Sequence, residues 1–199
     1  MNLELLTTDQ LRTRVEKTWI EHIKLCQDNF MYFVKEVWPE FIYRKATTSA
    51  EWGHHQIIAN EYTKIAKQRK GRLIVNMPPR HTKSEFASIY FPAWLIGRNP
   101  KMKLIQVSHN TELATRFGSK VRNLLASPEY SQVFGDVRLR EDAKAKGKWE
   151  TNHGGEYFAA GVGGAITGRG ADLLIIDDPH TEQDSHSEGS MDRAYEWYT

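Results

Sequence analysis

Arg72-Leu-Ile-Val-Asn-Met-Pro-Pro-Arg-His-Thr-Lys-Ser84 is the stretch on which the fold turns. Its first six residues form a short apolar run with the composition of a buried strand. Residues 83–97 then place Phe86, Ile89, Tyr90, Trp94 and Leu95 along one side of a helix, with Pro92 setting a kink. Thr-Lys-Ser at a strand-to-helix junction is the setting of a phosphate-binding loop, G-x-x-x-x-G-K-[ST]. Met77 and Thr82 stand where that pattern has glycines. The physical requirement is still met. Arg80, His81, Thr82, Lys83 and Ser84 each bring a backbone N–H to a helix N-terminus, which favours anions; Pro78 and Pro79 bring none. In this reading Lys83 reaches the terminal phosphates, Ser84 ligates magnesium, and Arg80 adds a planar, bidentate phosphate contact. The plain alternative is a basic turn between a strand and a helix.

Working outward, Lys103-Leu-Ile-Gln-Val-Ser108 reads as a second strand, and residues 110–126 as a long helix opened by Asn110. Trp149 to Ala160 reads as a hairpin turning at Gly154-Gly155. A glycine-rich loop, residues 161–170, leads into Asp172-Leu-Leu-Ile-Ile-Asp-Asp178, a buried strand ending in two acids. Alternating strands and helices predict an α/β sheet of mostly parallel strands. Ligands bind at the C-terminal edge of such strands, where Asp177 is expected to hold magnesium and Asp178 to deprotonate an attacking water. An Asp-Asp-Pro turn after a strand is the bland alternative. The two motifs together are more specific than either alone.

Upstream, residues 8–38 have helical spacing, with Thr7 and Gln10 as a capping box and a break near Gln27-Asp28-Asn29. Residues 45–50 read as a linker and 54–69 as another helix. This divides the chain into an N-terminal helical segment, 1–48, and a nucleotide-binding domain, 49–199. Gln56 is a candidate adenine reader, since an amide both donates and accepts; a solvated helix glutamine is the alternative. Ser108, Lys120, Arg122 and Arg169 are candidate phosphate contacts, each with an ordinary surface role as the alternative.

The 199 residues carry a net charge of +2, so nucleic acid would have to be met by a local patch. Cys26 is the single cysteine, which excludes disulfides within the chain and a zinc site built from cysteines, and suits a reducing compartment. No structural zinc spacing is present. His54 and His55 are adjacent, so on a helix they point apart and are not expected to chelate together. No stretch approaches the roughly 20 apolar residues needed to span a bilayer.

Pro78-Pro-Arg-His-Thr-Lys-Ser84, Gln106-Val-Ser-His-Asn-Thr-Glu-Leu-Ala114 and Ala165-Ile-Thr-Gly-Arg-Gly-Ala-Asp-Leu-Leu-Ile-Ile-Asp-Asp-Pro179, in this order, resemble the large terminase subunit of tailed double-stranded DNA bacteriophages. The resemblance covers roughly residues 50–180. It implies a RecA-like P-loop NTPase sheet with flanking helices, using ATP and Mg2+ to drive double-stranded DNA into a capsid. Carried over by position, Arg80, His81, Thr82, Lys83 and Ser84 hold the nucleotide, Ser84 and Asp177 the metal, Asp178 is the catalytic acid, and Gln56 matches the adenine-reading glutamine. Arg80 or Arg169 is the arginine that completes the site. The implied partners are the portal protein, the small terminase subunit and further copies of the chain in a ring, in the host cytoplasm and transiently at the capsid portal. The family's coupling motif and nuclease domain are not found before Thr199, so the chain reads as truncated. A helicase-like ATPase, or a nucleotide- or DNA-binding module without turnover, is the alternative.

Overall fold

The computed structural model describes residues 7–41, 53–68, 70–166 and 168–199. It divides into two compact units, Met1–Gly71 and Arg72–Thr199. The expected linker at 45–50 and the 48/49 boundary lie outside the described residues.

The first unit is helical: α1 (Thr8–Asp28), α2 (Phe30–Val37) and α3 (His54–Gln68). The predicted capping box forms, with Thr7 Oγ1 accepting from Gln10 N and Gln10 Oε1 accepting from Thr7 N. The break falls at Asn29, which is extended and whose side chain accepts from the N–H groups of Met31 and Tyr32. That single residue ends α1 and caps α2. The apolar core belongs to α2, which buries Phe30, Met31, Phe33, Val34 and Val37, and to Ala59 and Tyr62 of α3. Phe30 meets Tyr62 edge to face at 5.3 Å. Thr63 links the same pair of helices, accepting from Phe30 N. By contrast α1 buries only Cys26, and its Leu11, Val15 and Trp19 face outward. The rings of His54 and His55 lie 3.9 Å apart, centroid to centroid, closer than their helical spacing suggests, but among the described residues they join no group of metal ligands.

The second unit is a five-stranded sheet of order β2-β3-β4-β1-β5, with β1 (Lys103–Ser108), β2 (Leu139–Ala145), β3 (Lys148–Thr151), β4 (Glu156–Gly161) and β5 (Leu173–Ile176). β1 lies inside the sheet and pairs parallel with β4 and β5; the β2–β3 and β3–β4 pairs are antiparallel. The sheet is therefore mixed, not mostly parallel. β2 was hidden from the sequence by its charged residues, which suit an exposed edge. Helix α6 (Thr111–Leu125) opens at Asn110 as expected, and α7 (Pro128–Val133) and α8 (Glu188–Tyr198) complete the unit. α6 packs on the sheet face that carries Tyr157. Trp149 stacks on Tyr157 at 4.6 Å and donates to Gly118 O at 3.1 Å. A Cβ at Gly118 would stand 2.7 Å from Lys146 O and 2.8 Å from the Tyr157 ring, so this close approach requires glycine.

Two further expectations are corrected. Residues 72–77 form no strand, and Ile74 is 86% exposed. Apolar composition alone marks a strand-former, but a strand exists only where a partner accepts its backbone hydrogen bonds. β5 is not wholly buried either: Leu174 and Ile176 share one face of this strand and are substantially exposed, while Ile175 on the other face is buried. The helix after the loop exists but is interrupted. α4 (Lys83–Glu85) runs through a π-helical turn (Phe86–Tyr90) into α5 (Phe91–Arg98). Phe91 N–H bonds Phe86 O, five residues back, and Pro92 lies in the first turn beyond. The expected proline kink thus takes the form of a widened turn.

Candidate active site

Among the described residues, the non-glycine positions with positive φ are Arg80 (63°), Thr82 (64°) and Asp178 (48°). All belong to the two motifs that the sequence singled out. Thr82 is the most telling, because a β-branched residue in the left-handed region is a genuine outlier. It occupies the position where the phosphate-loop pattern has its second glycine. The chain keeps the glycine conformation without the glycine. Strain of this kind persists where surrounding structure over-determines it, typically at ligand-binding turns. The loop is tied internally: Thr82 Oγ1 donates to His81 O at 2.6 Å, and His81 Nδ1 is hydrogen-bonded to Pro79 O at 2.8 Å. Thr82 O accepts from Phe86 N at 3.0 Å, which starts the helix.

The left-handed turn aims Lys83 at the end of β5. Its ammonium donates to Asp178 Oδ1 and lies 3.4 Å from Asp177 Oδ1. Residues 95 apart in sequence are thereby joined. Burial alone lowers the Lys83 pKa, but the hydrogen bond to Asp178 and the charges of both acids outweigh it, leaving the ammonium above its ordinary value. A raised value means that this pairing is fully present below the usual lysine range, near 10.4, and is lost only at higher pH.

The two acids have different surroundings. Asp178 has a side chain 54% exposed, and its backbone carbonyl accepts from His109 N at 3.0 Å. Asp177 is 4% exposed. Its Oδ2 accepts from Ser88 Oγ at 2.8 Å, and Ser88 Oγ accepts from Gln106 Nε2 at 3.2 Å. A buried relay, Gln106–Ser88–Asp177, thus holds one carboxylate from behind while Lys83 meets it from the front. Ser88 lies in the π-helical turn and Gln106 in the middle of β1. Neither was singled out in the sequence. The available signal was Gln106 itself: a polar residue inside an otherwise apolar buried strand demands a partner. Gln106 Oε1 and Ser108 Oγ are also buried and have no hydrogen-bond partner among the described residues.

The other candidates fall as follows. Ser84 is half-buried beside Lys83, and Arg80 is exposed. Arg169 lies over the Phe158 ring at 3.9 Å, in cation–π contact. Arg122 donates to Lys144 O at 3.0 Å and to Asn123, so its guanidinium is held by neighbouring chain. Gln56 belongs to the other compact unit and donates to Asn60 Oδ1 at 2.8 Å.

Chemically, the cluster offers one ammonium and two carboxylates at the C-terminal edge of parallel strands. Oxygen donors of this kind suit a hard divalent cation such as magnesium, and the ammonium beside a helix-opening turn suits phosphate. No protein-family model matches the chain, and no curated protein sequence does.

Proposed function

We propose that this chain is the ATP-hydrolysing motor domain of a large terminase subunit, with a RecA-like nucleotide site at residues 77–84 and Asp177-Asp178. One observation carries the reading: Lys83, launched from the left-handed Thr82 turn, converges with both acids at the end of β5. A basic surface turn has no reason to hold a strained threonine or to meet two carboxylates from a distant motif.

The roles follow from the surroundings. Lys83 exchanges its carboxylate partners for the terminal phosphates when nucleotide arrives, and the amides of residues 80–84 line the anion. Ser84 and Asp177 would hold magnesium, which neutralises charge on the phosphate oxygens. Asp177 is pre-oriented for this by Ser88. Asp178, exposed at the rim, is reachable by water and would orient it and take its proton. An arginine, Arg80 in the same chain or Arg169 toward a neighbour, would complete the site in a ring of copies. Double-stranded DNA, the portal protein and the small terminase subunit are the partners of this reading. Among the described residues no helix is long and apolar enough to cross a membrane.

The binding step is tested by thermal denaturation with magnesium and a non-hydrolysable ATP analogue. The wild-type chain is expected to gain a concentration-dependent shift, as binding to the folded state requires. Lys83→Ala is expected to lose it. Equal shifts in the two proteins would remove Lys83 from the nucleotide site.

A further inference from the structure

A second cluster of reactive side chains lies in the helical unit, outside the nucleotide site. Cys26 is fully buried, and its Sγ lies 3.6 Å from His22 Nε2. The same nitrogen lies 2.7 Å from Glu36 Oε2. The three donor atoms all fall within 4.8 Å of one another. The fold explains the convergence. His22 and Cys26 are four residues apart, on one face of α1. The extended Asn29 then turns the chain so that α2 brings Glu36 against them.

We propose that His22, Cys26 and Glu36 form a binding site for a divalent metal ion of the zinc class. Imidazole nitrogen, thiolate sulfur and carboxylate oxygen are the three ligand types that zinc accepts. Tetrahedral bonds of about 2.3 Å to sulfur and about 2.0–2.1 Å to nitrogen place those two atoms about 3.6 Å apart. The Cys26–His22 separation already has this value. The Glu36 oxygen must withdraw from His22 by roughly 0.6 Å to match a tetrahedral nitrogen–oxygen spacing, a small rotamer adjustment. The competing account is a His–Glu hydrogen bond beside a buried thiol. In that account the His22–Glu36 pair is satisfied without a metal, and the titration below separates the two. When a divalent cation binds, the sulfur–metal bond forms, and the thiol proton leaves to solvent. Three protein ligands leave a fourth position for water. Of the three, His22 also lines an open groove of about 470 Å³, together with Leu11, Arg14, Val15, Thr18 and Trp19. The site escapes sequence inspection because Glu36 comes from the next helix, so no zinc spacing is written in the chain.

The test uses the full chain, stripped of metal with a chelator and titrated with Co2+. The expected result is a thiolate-to-cobalt charge-transfer band and tetrahedral visible bands that saturate at one equivalent and vanish when Zn2+ is added. Cys26→Ser should abolish the charge-transfer band. His22→Asn and Glu36→Gln, both at partly exposed positions, should weaken Co2+ binding by roughly tenfold or more. Circular dichroism verifies that each variant is folded, and if Cys26→Ser is not, the other two decide. No charge-transfer band at excess Co2+, or a band with unchanged affinity in His22→Asn and Glu36→Gln, overturns the proposal.

Discussion

Ser88 Oγ gives the buried Asp177 carboxylate its hydrogen bond, and Gln106 supports Ser88 in turn. A buried charge that loses a donor bears the full cost of its desolvation, about 1–3 kcal/mol or more. Ser88→Ala is therefore expected to lower unfolding free energy by that amount in urea titrations, although it alters none of the motif residues. A loss under about 0.5 kcal/mol, the scale of a neutral surface change, would show that the relay does not hold Asp177. Thr82 illustrates a different economy at the same scale. A left-handed non-glycine residue costs of order 1–2 kcal/mol, and the fold sustains this where Lys83 must be aimed.

Elements differ in how legibly they were written. α1, α2, α3, β1, α6 and β5 follow from cap residues and periodicity, because Thr7, Asn29 and Asn110 act locally and leave a local signature. Residues 72–77 misled for the opposite reason. Leu73, Ile74 and Val75 have strand composition, yet strand formation is decided by pairing elsewhere in the chain. The mixed sheet was hidden likewise, since β2 is charged rather than apolar and joins β3 through its backbone and the Arg140–Glu150 ion pair. Of the site, Lys83, Asp177 and Asp178 were legible, because motif residues carry their spacing with them. Ser88 was not, because its role depends on the π-helical turn that points it at Asp177. The outward position of residues 72–77 has a measurable consequence. Ile74→Ser is expected to change stability by no more than about 0.5 kcal/mol. Leu104→Ala, at a fully buried position of the interior strand β1, is expected to cost about 2–5 kcal/mol. Comparable losses would mean that residues 72–77 are packed in a core after all.

At the scale of the whole molecule, the two ends of the sheet are unlike. β2 carries Arg140, Glu141, Asp142 and Lys144 at one edge, the usual defence of an exposed strand. β5, at the other end, is apolar and leads directly into Asp177 and Asp178. The catalytic acids of the proposed motor therefore sit beside the least protected edge, where a further strand or a neighbouring copy has backbone to pair with. A net charge of only +2 spreads little field over such a surface, so DNA contact in this account comes from local phosphate-binding groups and weakens steeply with salt.

The central claim is that Lys83 and Asp178 serve one hydrolytic site, Lys83 by holding phosphate and Asp178 by taking a proton from water. Phosphate release from ATP with magnesium, measured for the wild-type chain and for Asp178→Asn while analogue binding is followed in parallel, tests this most directly. The account predicts unchanged binding and a rate lower by about 10²-fold or more in the variant, the scale of a lost general base. Release at the wild-type rate from Asp178→Asn would contradict it.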